Sequence, residues 1–207
     1  SNLGSSDSGS RHPSVEAVVP DPPFSVEARS SAKMPLIGLF MQAVCENIER
    51  IEFPEDIVEW TLDVEQSAGI DKRERITINA REEVEVPNSK GSANFIVKWE
   101  GAKQASTMSV VTITRKTDVK EMKGKKLGEY DATSNEMAPI AIFDCRGMEP
   151  TKWHPVGPFT VVAADGGKTF KEVDLSDAEG DGWVEYDDEK DQPVRITELK
   201  YEFKVMK

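Results

Sequence analysis

Cysteine and histidine are scarce in this sequence. Of 207 residues, only Cys45 and Cys145 carry a thiol, and only His12 and His154 an imidazole. Two cysteines so far apart do not make a disulfide framework. Both are therefore read as reduced, in the cytosol or nucleus. No apolar run approaches the ~20 residues that span a bilayer, and the N-terminus lacks the charged and then apolar layout of a signal peptide. Basic residues are in deficit: 26 Lys and Arg face 38 Asp and Glu, leaving a net charge of −12. That balance argues against nonspecific binding to nucleic acid or to an anionic membrane, and any partner steered by charge would be basic. Catalytic signatures are missing too: no P-loop, no G-x-G-x-x-G after a strand, no G-x-S-x-G and no H-E-x-x-H. An enzyme would have to be built on Cys145, Glu149 and His154. The expectation is no enzyme and no cofactor.

What is present falls into unequal parts. Ser1–Lys33 holds nine serines and four prolines, and cannot bury enough apolar surface to offset the entropy of ordering it. It reads as a disordered leader, tag or fused peptide, with Met34 resembling an internal start. Val18, Val19, Pro20 and Phe24 lie on a stiff Pro-rich stretch, the construction of an extended docking motif. From Leu36 onward the pattern favours strands. "IVEWTLDVEQ" (Ile57–Gln66) places Val58, Trp60, Leu62 and Val64 on one face. "SANFIVKWEG" and "ASTMSVVTITRK" read as a hairpin joined by a Gly-containing turn. Strands resume with "APIAIFDCRG", "FTVVAAD", "TFKEVDLS" and the long "PVRITELKYEFKVM". The class is mainly β: a two-lobed antiparallel protein with a first lobe at 34–118, a linker at 119–136 and a second lobe at 137–207.

The two lobes echo each other. "AVCENIERIEFPED" lies over "FDCRGMEPTKWHPV" with Cys45 on Cys145, Ile48 on Met148, Glu49 on Glu149 and Phe53 on Trp153. Each stretch reads as the end of a strand, a polar turn and the approach to a second strand. This is an internal pseudo-repeat. A thiol that recurs at one structural place in both halves is explained by packing, because free Cys is among the most buried residue types. Arg146 is the nearby group that would favour a thiolate at Cys145.

With those residues in hand, the chain resembles the eukaryotic CXXC-motif-containing zinc-binding proteins, a former domain-of-unknown-function family. "ENIERIEFPED", "GSANFIVKW", "FDCRGMEP" and "GWVEYDDEKDQPVRITELKYEF" carry the likeness across Met34–Lys207. The resemblance implies a two-lobed β fold with quasi-twofold symmetry, and zinc held by two C-x-x-C knuckles in the first lobe. It places Gln66 and Gly69 at the ligand positions of the first knuckle, and Trp99 and Ala102 at those of the second. None of the four offers a thiolate. The resemblance therefore implies a diverged, zinc-free member, with Trp99 over the hairpin stem as an apolar clamp.

Lys171–Asp191 contains ten acidic residues. Asp177, Glu179, Asp181 and Gly182 start like an EF-hand loop, but Asp188 stands where the bidentate Glu is needed. The stretch reads as a solvated loop, with an acidic face for a basic partner as the functional alternative. The whole reads as a noncatalytic interaction module, an adaptor or co-chaperone acting on a protein partner. Its candidate contacts are Trp99, Gln66, Gly69, Ala102, Asp177, Glu179, Asp181 and the leader residues. The alternative is a metal-handling protein that uses the acidic loop.

Overall fold

The computed structural model describes residues 36–112 and 126–206, all within one compact unit, Lys33–Lys207. The leader positions Val18, Val19, Pro20 and Phe24 lie outside the described residues. Fifteen strands make up the described fold: β1 (Leu36–Glu46), β2 (Ile48–Glu52), β3 (Trp60–Gln66), β4 (Lys72–Ile78), β5 (Val84–Glu85), β6 (Ser92–Ala93), β7 (Phe95–Val97), β8 (Ser106–Val110), β9 (Glu129–Asp131), β10 (Ala138–Arg146), β11 (Met148–His154), β12 (Phe159–Ala163), β13 (Thr169–Val173), β14 (Trp183–Asp187) and β15 (Gln192–Met206).

The fold is mainly antiparallel β, as the alternating pattern requires. A six-stranded sheet runs β14-β15-β1-β10-β8-β7, flanked by the smaller sheets β11-β3-β4 and β13-β12-β2-β9. Its centre is the antiparallel pair β1 and β10, which runs from Leu36 opposite Asp144 to Met41 opposite Ala138 with a register shift between Leu39 and Phe40. Outside that pair the order is symmetric. The hairpin β14-β15 lies against β1, and the hairpin β7-β8 lies against β10. The small sheets follow the same rule. First-half β2 pairs with second-half β12, and second-half β11 pairs with first-half β3. The pseudo-repeat is therefore an exchange, in which each half lends its second strand to the other.

Both exchanges start from one backbone device. Asn47 (φ 56°) follows β1 and Gly147 (φ 72°) follows β10. A left-handed residue turns the chain sharply, and Asn and Gly adopt that conformation at least cost. The next residues differ from expectation. The stretches read as polar turns are strands β2 and β11, with Ile48 and Ile51, and Met148 and Trp153, buried on the inward side. Their charged outward residues hide the alternation. Two further spans differ likewise. Glu129–Asp131, inside the expected linker, pairs with β2 and buries Tyr130, whose hydroxyl meets the Ala43 amide at 3.2 Å. The acidic stretch is not a loop but includes β14, the edge of the main sheet.

The core fills the space between the sheets. Phe53 and Trp153, matched across the repeat, are 1% and 0% exposed. Phe159 contacts Phe53 edge-on at 5.1 Å between ring centroids, and Trp60 lies 6.2 Å from Trp153. Val58, Trp60, Leu62 and Val64 are all buried, as their spacing predicts. Each such side chain contributes on the order of 1.5–3 kcal/mol. β15 buries Val194 and Ile196, then Leu199. The change of parity is a bulge, with Glu198 at φ 49° and the register against β1 shifting between Gln42 and Val44.

Gly147→Ala tests the corner. A left-handed Ala costs ~1–2 kcal/mol, and its Cβ would lie 2.6 Å from Ser106 Oγ. The expected result is a loss of about 2 kcal/mol in urea unfolding with an unchanged m-value.

Candidate functional site

Two turns stand where the resemblance places zinc knuckles. In the hairpin between β3 and β4, the Gly69 amide donates to the Gln66 carbonyl at 3.3 Å. After β7, the Ala102 amide donates to the Trp99 carbonyl at 3.1 Å. Each is the i to i+3 closure that brings the ends of an x-x spacer together. The turns are joined through one carbonyl. Trp99 Nε1 donates to Ser106 Oγ at 2.9 Å, and Ser106 Oγ donates to the Gly147 carbonyl at 3.0 Å. That carbonyl also accepts the Ser67 amide at 3.2 Å. The Trp99 ring lies in the main core, with the Arg73 guanidinium 5.9 Å from the ring centre.

The expected contact set therefore divides. Trp99 is only 2% exposed, so it clamps the turns from within and offers no surface to a partner. Gln66 and Ala102 are half-buried, and Gly69 is exposed. The structure adds a residue that sequence reasoning missed: Ile70, at the tip of the same hairpin, is 93% exposed. Its signal was an apolar side chain inside a turn, "SAGID".

The second half carries a corresponding clasp built from other chemistry. The Ala163 amide donates to the Lys168 carbonyl at 3.0 Å, and the Ala164 amide donates to the Asn47 carbonyl at 2.9 Å. These bonds repeat those of Gln66 to Asp71 and of Ser67 to Gly147. Here a fully buried carboxylate ties the turns. Asp187 Oδ2 accepts the Lys168 amide at 2.9 Å, and Oδ1 accepts the amides of Glu189 and Lys190 at 2.9 and 3.3 Å. Three backbone donors meet the need of a buried charge for compensation. A Cβ on Gly167 would run into Asp187 Oδ2.

The thiols are poor nucleophiles. Burial pushes both Cys45 and Cys145 up to about 12, and at Cys145 the Asp144 and Glu149 carboxylates add to the effect. Arg146 does not counter this, since it is more than half exposed and faces Asp144 at 3.9 Å. His154 is committed elsewhere. It ends β11, accepts Arg75 Nη1 on Nδ1 at 3.2 Å, and therefore donates from Nε2 to Asp63 Oδ1 at 2.8 Å. Burial raises the Asp63 carboxyl, but the Arg75 amide and His154 outweigh that and hold it below its usual value. Asp177, Glu179 and Asp181 are exposed on and beside a short 3-10 turn, Ser176–Glu179, where the Asp177 carbonyl accepts the Gly180 and Gly182 amides. Among the described residues, no group of three or more His, Cys, Asp or Glu is placed to hold a metal.

Comparison with known proteins gives the same fold and a family. Residues 38–204 match the family described as CXXC motif containing zinc binding protein, eukaryotic. This chain belongs to that family. A Drosophila melanogaster UPF0587 protein is 30% identical over 171 residues, covering 81% of this chain and 95% of that protein. The human CXXC motif containing zinc binding protein is 24% identical over 169 residues, covering 81% and 96%. A solved structure of a hypothetical protein from Plasmodium falciparum superposes with a TM-score of 0.69 at 28% identity, covering 83% of this chain and all of that one. The family name implies zinc on C-x-x-C thiolates. The donor set here does not fit it: Gln66, Gly69, Trp99 and Ala102 supply no thiolate, and neither thiol of the chain is in the two turns.

Two measurements test this reading. Asp187→Asn keeps the shape but removes the charge that three amides share, and is expected to cost about 2 kcal/mol in chemical denaturation. Iodoacetamide at pH 8 is expected to label Cys145 of the native protein far more slowly than of the urea-unfolded protein. Comparable native and unfolded rates would place a reactive thiolate at Cys145.

Proposed function

We propose that this chain is a zinc-free, noncatalytic interaction module of its family, an adaptor or co-chaperone that works in the cytosol or nucleus on a protein partner. The observation that carries this reading is the Trp99–Ser106–Gly147 link. It holds together the two turns that thiolates would otherwise bridge, which supports a fold that needs no metal there. What is kept when the metal ligands are gone is shape and surface, and no nucleic acid or membrane is called for. The contact surface consists of Gly69 with the neighbouring Ile70, and the exposed acids Asp177, Glu179 and Asp181, which suit a basic partner. Val18, Val19, Pro20 and Phe24 of the leader supply a second docking element.

Two experiments decide it. Elemental analysis of the purified full chain is expected to find no stoichiometric zinc, and a chelator is expected to leave the melting temperature unchanged. Stoichiometric zinc would overturn the reading. In affinity capture from lysate, a stoichiometric partner is expected on the full chain, and it should be lost with Ile70→Asp or with combined Asp177→Asn, Glu179→Gln and Asp181→Asn. A partner that ignores both variants would move the contact surface elsewhere.

A further inference from the structure

The pseudo-twofold supplies an internal comparison between the two ends of the main sheet. On its outer face, one row crosses Val184, Arg195 and Glu46. The corresponding row crosses Ile96, Thr107 and Arg146. In the first row the guanidinium of Arg195 meets the Glu46 carboxylate at 3.8 Å. In the second the basic residue stands where Glu46 stands, and Thr107 replaces its partner.

A cavity of about 700 Å³ lies over this second row, with Val86–Ser89, Gly91 and Ser92 contributing one wall. Such a volume falls within the range of small-molecule sites. Lys98, Lys103 and Arg146 line it against a single carboxylate, Asp144. Lys98 and Lys103 are exposed, and among the described residues neither has an ion pair. Three cations gathered in one cavity of a chain with net charge −12 are a local inversion of sign. Hydroxyls of Thr107 and Ser109 share the lining, and Ile96 and Pro87 supply apolar surface.

The one carboxylate of the lining bears on the other end of an occupant. Asp144 Oδ1 is removed from solvent and has no hydrogen-bond donor. Arg146 Nε, at 3.9 Å, is beyond hydrogen-bonding range. That oxygen is out of a ligand's reach, so a donor entering from the cavity would meet the part of the Asp144 side chain that stays open, 17% of its surface. An occupant that is anionic at one end and carries a donor at another matches both kinds of group.

We infer that this cavity binds a small organic phosphate, its phosphoryl oxygens on Arg146, Lys98 and Lys103 and a hydroxyl or amine of its body on Asp144. Phosphate suits the cations better than a single carboxylate does, because it takes a planar guanidinium on two oxygens and leaves a third for an ammonium. A carbon body would lie on Ile96 and Pro87.

Calorimetric titration of the full chain with glucose 6-phosphate tests this, with inorganic phosphate and glucose as separate arms. The expected result is saturable one-to-one binding that weakens with added salt. Glucose 6-phosphate should bind more tightly than inorganic phosphate, and glucose should not bind. Arg146→Gln and Lys98→Gln, both at exposed positions, should each weaken binding about tenfold through loss of a charge-assisted bond. Arg195→Gln, at the pseudo-equivalent end of the sheet, should leave it unchanged. Asp144→Asn should weaken glucose 6-phosphate but not inorganic phosphate. Absence of saturation, or binding indifferent to Arg146 and Lys98, would overturn the inference. So would a glutamate-rich peptide that binds through those residues when glucose 6-phosphate does not.

Discussion

The antiparallel contact between β1 and β10 is the constraint on which the other strands depend. Two matched strands lie side by side, and each leaves the main sheet through a left-handed corner, Asn47 or Gly147. The corner sends the following strand into a sheet begun by the opposite half. A strand placed there must bury one face, which is why Ile48 and Ile51 point inward although Glu49, Arg50 and Glu52 surround them. The same corners supply the carbonyls that accept Ser67 and Ala164. One backbone conformation, used twice, therefore sets both the sheet order and the position of the turns above it.

Those turns need a tie, and the two halves meet that need differently. A structural zinc ion is worth roughly 10–16 kcal/mol to a small finger that has little else. This protein is not in that position. Trp99 brings about 3 kcal/mol of burial and one bonded indole to the first clasp. Asp187 brings charge-assisted bonds worth about 1.5–3 kcal/mol each to the second. Terms of that size suffice because the turns close a fold already held by the aromatic core around Phe53, Trp60, Trp153 and Phe159. An indole at this place ties the turns locally, and the family's fold is present around it.

The sequence showed the strand class, the repeat and the family likeness because each rests on local pattern. Val58 to Val64 alternate cleanly, and the bulge in β15 is visible as the change of parity between Ile196 and Leu199. What it hid was hidden for a physical reason. β2 and β11 are short, with charged outward residues, so their period is masked. β9 takes strand form from β2, a neighbour distant in the chain that no local window contains, while β14 is an acidic edge strand paired with β15 in a hairpin. Trp99 was read both as an apolar clamp over the hairpin stem and as a partner contact, because the residues around it, "KWEGAK", are polar and carry no sign of its burial. Its burial comes from Ser106 and Gly147, and its separation from Gly147 puts that contact beyond local reading. Ile70 was legible as an apolar side chain in a turn, yet a turn residue carries no periodicity to weigh it by.

Symmetry also separates what the fold requires from what it leaves open. Positions that agree across the repeat, such as Cys45 with Cys145 and Phe53 with Trp153, serve packing that both halves share. Positions that disagree are free of that demand. Glu46 and Arg195 neutralise each other at one end of the sheet. At the other end, Arg146 takes the place of Glu46 and Thr107 that of Arg195, and Lys98 and Lys103 gather beside them. Packing gives no reason for this difference, because all three cationic residues are exposed. Nor does solubility, since cations lower the magnitude of a net charge of −12. Three like charges brought together at the mouth of a cavity, with Asp144 the one carboxylate in its lining, repel one another, and an anionic ligand lowers that repulsion. The departure from symmetry is thus the physical basis for separating a binding role at this end of the sheet from the structural role that both ends have in common.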